Sequence, residues 1–214
     1  MFKLKVRFWI DSAQIKRLVR RLSQPLPGRN SQIEMSPPGR PLNVSTNGYQ
    51  DAAVLIALHR CDGEFGFPLI VRAESEYAHG GQVGLPGGRL EPGESLENCA
   101  LRESEEEIAL PRAKVKLLGQ LTSLPVPVSE HLIHTFVGLT EDDIHLQPDS
   151  REVKAILFMP VKKLLSRDTI HTGEFATPRG TLADVPYFEL NEHHIWGATA
   201  MILSELKALL LDLG

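Results

Sequence analysis

The sequence has few cysteines, and this scarcity excludes the classes of protein that cysteines hold together. Its two cysteines among 214 residues are Cys61 and Cys99. Two cysteines cannot build a disulfide framework or a four-cysteine zinc site. The expected compartment is therefore a reducing cytoplasm, where free thiols persist.

Long apolar runs and a surplus of positive charge are also lacking. No stretch approaches the roughly 20 apolar residues that cross a bilayer. The first ten residues, MFKLKVRFWI, alternate basic and apolar positions and lack the continuous apolar core of a secretion signal. The formal net charge of -4 gives no overall basic field for nucleic acid. We therefore expect neither a membrane nor a nucleic acid as partner, and any nucleotide substrate must be bound by local charges or a metal.

The sequence does contain the composition and patterning of a folded α/β domain. Hydrophobic residues make up 42% of the chain and charged residues 23%, which is typical of globular proteins. Apolar runs of strand length at 52–58 and 67–73 flank the turn-forming segment CDGEFG. Further elements are predicted as strands at 113–122, 131–139 and 152–159, and as helices at 95–108 and from Trp196 onward. Because strands outnumber helices, the pattern predicts an α/β sandwich and not a doubly wound sheet.

The segments outside these elements are predicted to be less regular. A helix at 11–23 precedes a connection at 24–48 that is rich in Pro, Gly, Ser and Asn, and 166–187 has the composition of a long surface loop. The basic residues of the first helix are interpreted as a solvated face; they are Lys16, Arg17, Arg20 and Arg21. The predicted organisation is an N-terminal helix and linker, 1–49, followed by one domain, 50–214.

The stretch LRESEEEIAL, 101–110, crowds four glutamates into five positions. At about 100° per residue, Glu103, Glu106 and Glu107 share one side of a helix, and Glu105 points away. The sector beside them, which would face the core, holds Ala100, Leu101, Ser104 and Ile108. Partly buried like charges are unfavourable unless a cation compensates them. The three glutamates therefore suit a hard divalent cation, Mg²⁺ or Mn²⁺; the alternative is a solvent face with ordinary salt bridges.

A glycine-containing segment before this helix favours the metal. The glycines of PGG at 86–88 allow bare backbone to approach a ligand. Glu94 lies at the predicted start of the helix, where the helix dipole favours a carboxylate. Arg102 is within reach of Glu94 if the loop folds back along the helix. Such a pair would pin the loop to the helix and leave the other carboxylates free for a metal.

The spacing of these residues resembles the Nudix box, the signature of hydrolases that split nucleoside diphosphates linked to another moiety. The matching positions are Gly88, Glu94, Arg102, Glu103, Glu106, Glu107 and Leu110. Two positions depart from the box: Ser104 stands for an aliphatic residue, and Ala109 for a glycine that would affect how the helix ends. The resemblance implies a Nudix-type α/β/α sandwich with a mixed β-sheet.

The resemblance also implies a role for each residue of the box. Metal ligation would fall to Glu103, Glu106, Glu107 and the carbonyl of Gly87. Glu103 would serve as a ligand or as the catalytic base, and Glu94 with Arg102 would form a supporting pair. Glu152 is a further candidate for a catalytic carboxylate supplied by another loop. The implied cofactor is Mg²⁺ or Mn²⁺.

A longer resemblance, covering roughly 50–210, is to the coenzyme A pyrophosphatases of this superfamily. It is carried by PLIVRAESEYAHGGQVGLPGG and by the IWGATA run near the C-terminus. It implies that the substrate is coenzyme A or its thioester, cleaved to 3′,5′-ADP and 4′-phosphopantetheine or its acyl form. The implied substrate-binding residues are Arg72, Tyr77, His79 and Gln82.

Several alternatives stay open within this resemblance. Pro68 stands for a leucine, Leu85 for a phenylalanine, and Tyr77 for an arginine that could contact phosphate in a bidentate way. Another diphosphate such as ADP-ribose is therefore an alternative substrate, and a non-catalytic nucleotide-binding regulator is an alternative function. Arg72 could instead end a strand in solvent, and His79 could cap a loop. Whether Tyr187 and Trp196 pack or stack on adenine is not decided by the sequence, and neither is the oligomeric state.

Overall fold

The structure is a computed structural model, and it describes residues 12–41, 44–73, 81–140, 144–178 and 180–213. Within these residues the helices are α1 (Ser12–Leu22), α2 (Gly28–Ile33), α3 (Leu96–Ile108), α4 (Val161–Leu165) and α5 (Gly197–Leu211). The first strands are β1 (Gln50–Cys61), β2 (Glu64–Arg72), β3 (Val83–Gly84), β4 (Gly87–Arg89), β5 (Val115–Gln120) and β6 (Leu124–Val126). They are followed by β7 (His131–Thr140), β8 (Val153–Pro160), β9 (Ile170–Thr177), β10 (Gly180–Leu190) and β11 (His193–Trp196).

Strand β1 organises a mixed sheet. It runs parallel to β7 from Gln50 opposite His131 to Leu58 opposite Leu139. Its first half pairs antiparallel with β4 and its end pairs antiparallel with β2. The sheet order is β3-β2-β1-β7-β5, and β4, β6 and β8 pair with β1, β7 and β2 respectively. The strand β1 is an almost continuous apolar run because it is covered on both faces.

Helices cover the two faces of this sheet with two separate cores. On one face α3 packs Cys99, Ala100 and Ile108 against the strands. On the other face α5 forms a larger core, which also takes in Leu18 and Leu22 of α1. Each fully buried aliphatic side chain contributes roughly 1.5–3 kcal/mol, so the larger core supplies most of the hydrophobic stabilisation. The predicted α/β/α sandwich with a mixed sheet is confirmed.

The prediction of a long surface loop at 166–187 is wrong. Strands β9 and β10 form an antiparallel pair there, and β11 extends it into a three-stranded sheet. Phe188, Leu190 and Ile195 are buried on its inner side as part of the larger core, whereas β9 is largely exposed. Because only one side of this sheet is apolar and glycine and proline interrupt it, the composition resembles that of a loop.

The outer side of the three-stranded sheet carries a cluster of rings. Phe175 stacks on Trp196 with centroids 4.7 Å apart, and Tyr187 meets Phe175 edge-on at 5.6 Å. Tyr187 and Trp196 are direct cross-strand partners. The two residues therefore pack against neighbouring rings on the sheet, and a role in adenine binding stays untested.

The N-terminal segment is more ordered than the sequence predicts. The expected connection at 24–48 contains α2, which lies against α5. The division into an extension, 1–49, and a domain, 50–214, stays a prediction. In the described ranges, no helix is long and apolar enough to cross a membrane.

Candidate active site

Helix α3 begins and ends at residues suited to those positions. Ser95 caps the start, where its side chain accepts a hydrogen bond from the Asn98 backbone N–H at 3.3 Å. Ala109 ends the helix in the left-handed conformation, with φ of 53°, and its N–H bonds to the Ser104 carbonyl. The position therefore has the conformation that explains why glycine is usual there. Alanine holds the same conformation at some cost in strain.

The inward side of α3 matches the angular prediction. Ala100, Ser104 and Ile108 are buried, and Leu101 is half-buried. The Ser104 hydroxyl donates to the Ala100 carbonyl at 2.7 Å, so a polar side chain is accommodated where the Nudix box has an aliphatic one. On the other side, Glu105 pairs with the exposed Arg112 at 2.7 Å.

Arg102 joins the loop to the helix. Its guanidinium donates to both carboxylate oxygens of Glu94, at 2.9 and 3.0 Å, and to the Arg89 carbonyl at 3.2 Å. This pairing lowers the pKa of Glu94 and raises that of Arg102. Arg102 also donates to Glu103 at 2.9 Å and to Glu106 at 3.1 Å. The expectation that the pair leaves the other carboxylates free is therefore wrong, because one guanidinium has five N–H donors to share.

Glu107 is the most deeply buried carboxylate of the site, with only 2% of its surface exposed. One of its oxygens, Oε2, accepts the Gly87 N–H at 2.8 Å. Its other oxygen, Oε1, accepts Nη1 of Arg72 at 3.3 Å. Burial raises the pKa of Glu107 to about 7, and Glu103 and Glu152 add to the rise, while Arg72 and the Gly87 N–H oppose it. Glu107 is thus a carboxylate whose charge depends on nearby cations.

Glycines 87 and 88 are required by close contacts. Gly87 has φ of 150°, and a Cβ there would lie 2.3 Å from the Ala53 carbonyl oxygen of β1. A Cβ on Gly88 would lie 2.3 Å from Oε1 of Glu103. Any larger residue at either position would displace the strand or the carboxylate.

Glu103 on α3 and Glu152 before β8 are two further carboxylates whose charges act on Glu107. Burial raises the pKa of Glu103, and Arg102 opposes this while Glu106 and Glu152 add to it. Glu152 precedes β8, and its carbonyl accepts the Ala73 N–H at 2.8 Å. Its charge acts on both Glu103 and Glu107. The structure therefore brings Glu152 into electrostatic range of the α3 glutamates.

The remaining predicted residues fall into two groups. Arg72 ends β2 with its guanidinium on Glu107 and not in free solvent, and the Gln82 carbonyl accepts the Arg72 backbone N–H at 3.0 Å. Tyr77 and His79 lie outside the described residues. Cys99 is buried, and burial raises the pKa of its thiol to about 11, which makes it a poor nucleophile.

The contact between Arg72 and Glu107 is a feature of the candidate site that the sequence did not predict. The two residues are 35 positions apart. Each had been assigned to a different group, Arg72 to substrate and Glu107 to metal. Gly87, the first residue of β4, contacts both of them, because its carbonyl accepts from Arg72 and its N–H donates to Glu107.

The donor atoms of this site fit a hard divalent cation in their chemistry. The side chains of Glu103, Glu106, Glu107 and Glu152 and the carbonyl of Gly87 all offer oxygen, the ligand that Mg²⁺ and Mn²⁺ prefer. Among the residues that the structure describes, no three Asp, Glu, His or Cys side chains form a group arranged to hold an ion. Arg72 and Arg102 are bound to these carboxylates instead. A bound cation would have to replace part of this pairing.

Comparison with known proteins agrees with the geometry. A sequence model described as the NUDIX domain matches residues 48–177. A protein of Photorhabdus laumondii named as an uncharacterized Nudix hydrolase, NudL, is 34% identical over 176 residues, which are 82% of this chain and 91% of that protein. NudL of Yersinia pestis is also 34% identical, over 78% of this chain and 86% of its own.

Solved structures support the fold alone. A MutT/nudix family protein from Enterococcus faecalis superposes with a TM-score of 0.50 at 16% identity, over 95% of this chain and 76% of that one. The family match covers more than half of the chain, and both relatives match most of it. With Glu107 bonded to the Gly87 N–H and Glu103 lying against Gly88, the chain belongs to the Nudix hydrolases.

Proposed function

We propose that the chain hydrolyses the diphosphate bond of coenzyme A or its thioesters, giving 3′,5′-ADP and 4′-phosphopantetheine or its acyl form. Nudix hydrolases generally use divalent metal ions. Mg²⁺ or Mn²⁺ is the proposed cofactor because the donors available are oxygens. The proposed substrate is a small nucleotide derivative, since the chain has no overall positive charge for a polymer.

One observation carries the choice of coenzyme A. The segment by which the sequence resembles coenzyme A pyrophosphatases is 68–88, and three of its described residues, Arg72, Gly87 and Gly88, are in direct contact with the Nudix helix. Arg72 and the Gly87 N–H both bind Glu107, and the side chain of Glu103 lies against Gly88. Sequence differences within that segment would therefore change the groups that contact Glu103 and Glu107, where the diphosphate of the substrate is proposed to bind.

The site residues are proposed to divide the work between them. The side chains of Glu106 and Glu107 and the carbonyl of Gly87 would hold the metal, with Glu103 as a ligand or a base. When bound, the metal acts as a Lewis acid on the attacking water and stabilises the departing phosphate.

Proton transfer is proposed to fall to one of two carboxylates. Glu103 or Glu152 would accept the proton of the water that attacks phosphorus as the bond to the leaving phosphate breaks. The raised pKa of Glu103 makes it a better proton acceptor near neutral pH than an ordinary carboxylate. Arg72 and Gln82 are proposed to bind the substrate, as are Tyr77 and His79.

A second substrate class is favoured by one feature of the sequence. Tyr77 stands where coenzyme A pyrophosphatases have an arginine, so a phosphate contact in that position is weaker. ADP-ribose or another nucleoside diphosphate derivative is therefore the alternative. A non-catalytic regulator is disfavoured, because binding alone does not need the complete set of glutamates.

The test is a substrate panel in Mg²⁺ and in Mn²⁺, with products identified by mass spectrometry. We expect release of 3′,5′-ADP from coenzyme A to be much faster than cleavage of ADP-ribose. The panel includes Glu107→Gln, which should lose the activity, and the surface variant Glu105→Gln, which should keep it and is the matched control for removing one glutamate from α3. Preferential cleavage of ADP-ribose would overturn the substrate, and no cleavage of any diphosphate would overturn the activity.

A further inference from the structure

We propose that Arg72 is an exchangeable counter-cation of the metal site: its guanidinium neutralises Glu107 while no metal is bound, and a divalent cation displaces it. The displaced guanidinium then becomes a donor for the diphosphate of the substrate. This inference rests on the proposed function, because it takes Glu107 and the Gly87 carbonyl as metal ligands.

The contacts of Arg72 are the starting point. Its Nη1 donates to Oε1 of Glu107 and its Nη2 donates to the Gly87 carbonyl, both at 3.3 Å. One planar guanidinium therefore spans the side-chain oxygen and the backbone oxygen that are proposed to bind the metal. Metal–oxygen distances for Mg²⁺ are about 2.0–2.1 Å. A metal ion bound to these two oxygens would occupy the space that the guanidinium now fills. The ion and the guanidinium therefore cannot be bound there at the same time.

The two arginines of the site are held very differently. Arg102 makes bonds of 2.9–3.2 Å to Glu94, Glu103, Glu106 and the Arg89 carbonyl, and its side chain is 14% exposed. Arg72 has two long side-chain bonds and is 35% exposed. Hydrogen bonds at 3.3 Å lie beyond the usual 2.7–3.2 Å range. Arg72 can therefore leave its partners toward solvent much more readily than Arg102.

Glu107 faces a cation in either state of the proposed exchange. It is buried and fixed by the short bond from the Gly87 N–H, so it cannot follow a departing partner into water. The Gly87 N–H bonds to its Oε2, and Nη1 of Arg72 reaches the other oxygen, Oε1. A divalent ion compensates the charge of a carboxylate more fully than a guanidinium. Exchange of one cation for the other keeps a positive charge beside the Glu107 carboxylate.

The released guanidinium suits the next step. Arginine offers parallel N–H donors that match the oxygens of a phosphate. Because Arg72 ends β2 and its backbone stays paired with Gln82, the side chain would move while the strand remains in place. Metal binding and substrate binding would then be coupled through one side chain.

The direct test follows the arginine side chains by NMR during titration of the full chain with Mg²⁺. The Nε–H signal of Arg72 is assigned by its loss in Arg72→Lys. We expect this signal to move in step with metal binding measured by calorimetry, while the signal of Arg102 moves less. Such a shift does not depend on turnover.

A second measurement compares Mn²⁺ affinity in three proteins. Arg72→Gln removes the resident cation and should bind Mn²⁺ about tenfold more tightly than the wild type, since no ion pair has to be displaced. Arg151→Gln is the matched control, because Arg151 is a surface arginine that acts on Glu152 from outside and pairs with Asp149. Its affinity should change about twofold or less, as expected for an exposed charge.

The outcomes separate the two proposals. Metal binding with an unmoved Arg72 signal, or equal affinity changes in Arg72→Gln and Arg151→Gln, would overturn the exchange and leave the hydrolase site intact. Absence of any Mg²⁺ or Mn²⁺ binding would overturn the metal site itself, and the exchange with it.

Discussion

Helices α3 and α5 each bury one glutamate, and the two carboxylates are satisfied in different ways. Glu205 on α5 is 0% exposed and accepts hydrogen bonds from the backbone N–H groups of Gly28 and Thr122, both at 3.2 Å, and from Gln32 Nε2 at 2.8 Å. Glu107 on α3 is equally withdrawn from water but has one short backbone bond and one long arginine bond. Fixed neutral donors make a buried carboxylate structural, whereas a loosely held cation leaves it able to bind another.

The location of each glutamate agrees with this difference. Glu205 joins α5 to α2 and to the segment after β5, so it attaches the N-terminal residues to the larger core. Glu107 lies on the opposite face of the sheet, where the core is smaller and the Gly87 N–H bonds to its carboxylate. The two buried glutamates thus lie on different faces of the sheet.

The largest expected effect is on catalysis. Glu107→Gln keeps the shape of the side chain but removes the charge that is proposed to hold the metal. We expect kcat to fall about 10²- to 10³-fold, the loss typical when one electrostatic contact to reacting groups is removed. Steady-state kinetics with the preferred diphosphate provide the measurement. Glu105→Gln on the same helix should keep its activity, and near-normal turnover in both variants would remove Glu107 from the site.

The next effect is on stability. Glu205→Ala leaves the donors on Gly28, Gln32 and Thr122 without their buried acceptor, and each unsatisfied group costs about 1–3 kcal/mol. With three such donors, we expect a loss of at least about 3 kcal/mol in the free energy of unfolding, measured in urea. Hydrogen exchange should show the largest increase in α2. An unchanged midpoint would mean that these bonds are not important for stability.

A third effect depends on pH and distinguishes the two carboxylates. The raised pKa of Glu107, about 7 against 4.5 in the unfolded chain, means that the folded state binds this proton more tightly. Its contribution to stability is complete below pH 4.5 and is lost as the pH rises to about 7. The free energy of unfolding of the metal-free wild type should therefore fall relative to Glu107→Gln by about 1.4 kcal/mol per pH unit in that window. A constant difference between the two proteins would show that Glu107 titrates normally.

The smallest effect concerns the end of α3. Ala109 has φ of 53°, a conformation that costs a residue with Cβ about 1–2 kcal/mol. Ala109→Gly removes this strain, but glycine gains entropy in the unfolded chain, which offsets part of the gain. The substitution should therefore raise the free energy of unfolding by about 0.5–1 kcal/mol. Thermal unfolding would measure this change. Destabilisation would mean that the left-handed position is not strained.

Sequence alone predicts those parts of the molecule that depend on residues close together in the chain. The period of α3 identified its buried side, and the fixed intervals from Gly88 to Leu110 identified the family, since both depend on neighbouring residues. The pairing of Glu94 with Arg102 was also accessible, because the two residues are only 8 positions apart, Glu94 just before the N-cap of α3 and Arg102 within the helix.

The parts that the sequence did not predict depend on distant contacts. Gln32 is buried because it bonds to Glu205, 173 positions away, so α2 has no apolar pattern to reveal it. Strands β9 and β10 bury one side only, and their glycines and prolines are typical of loops. The bond between Arg72 and Glu107 joins two motifs that had been interpreted separately.

The most direct test of the difference between the two buried glutamates is a Mn²⁺ titration of the wild type, Glu107→Gln and Glu205→Gln under conditions where all three are folded. We expect Glu107→Gln to weaken Mn²⁺ binding at least about tenfold, the minimum effect of removing a group that supports a metal site. Glu205→Gln should bind Mn²⁺ like the wild type. Equal binding by all three proteins, or equal weakening in both variants, would contradict the assignment of Glu107 to the metal and Glu205 to the fold.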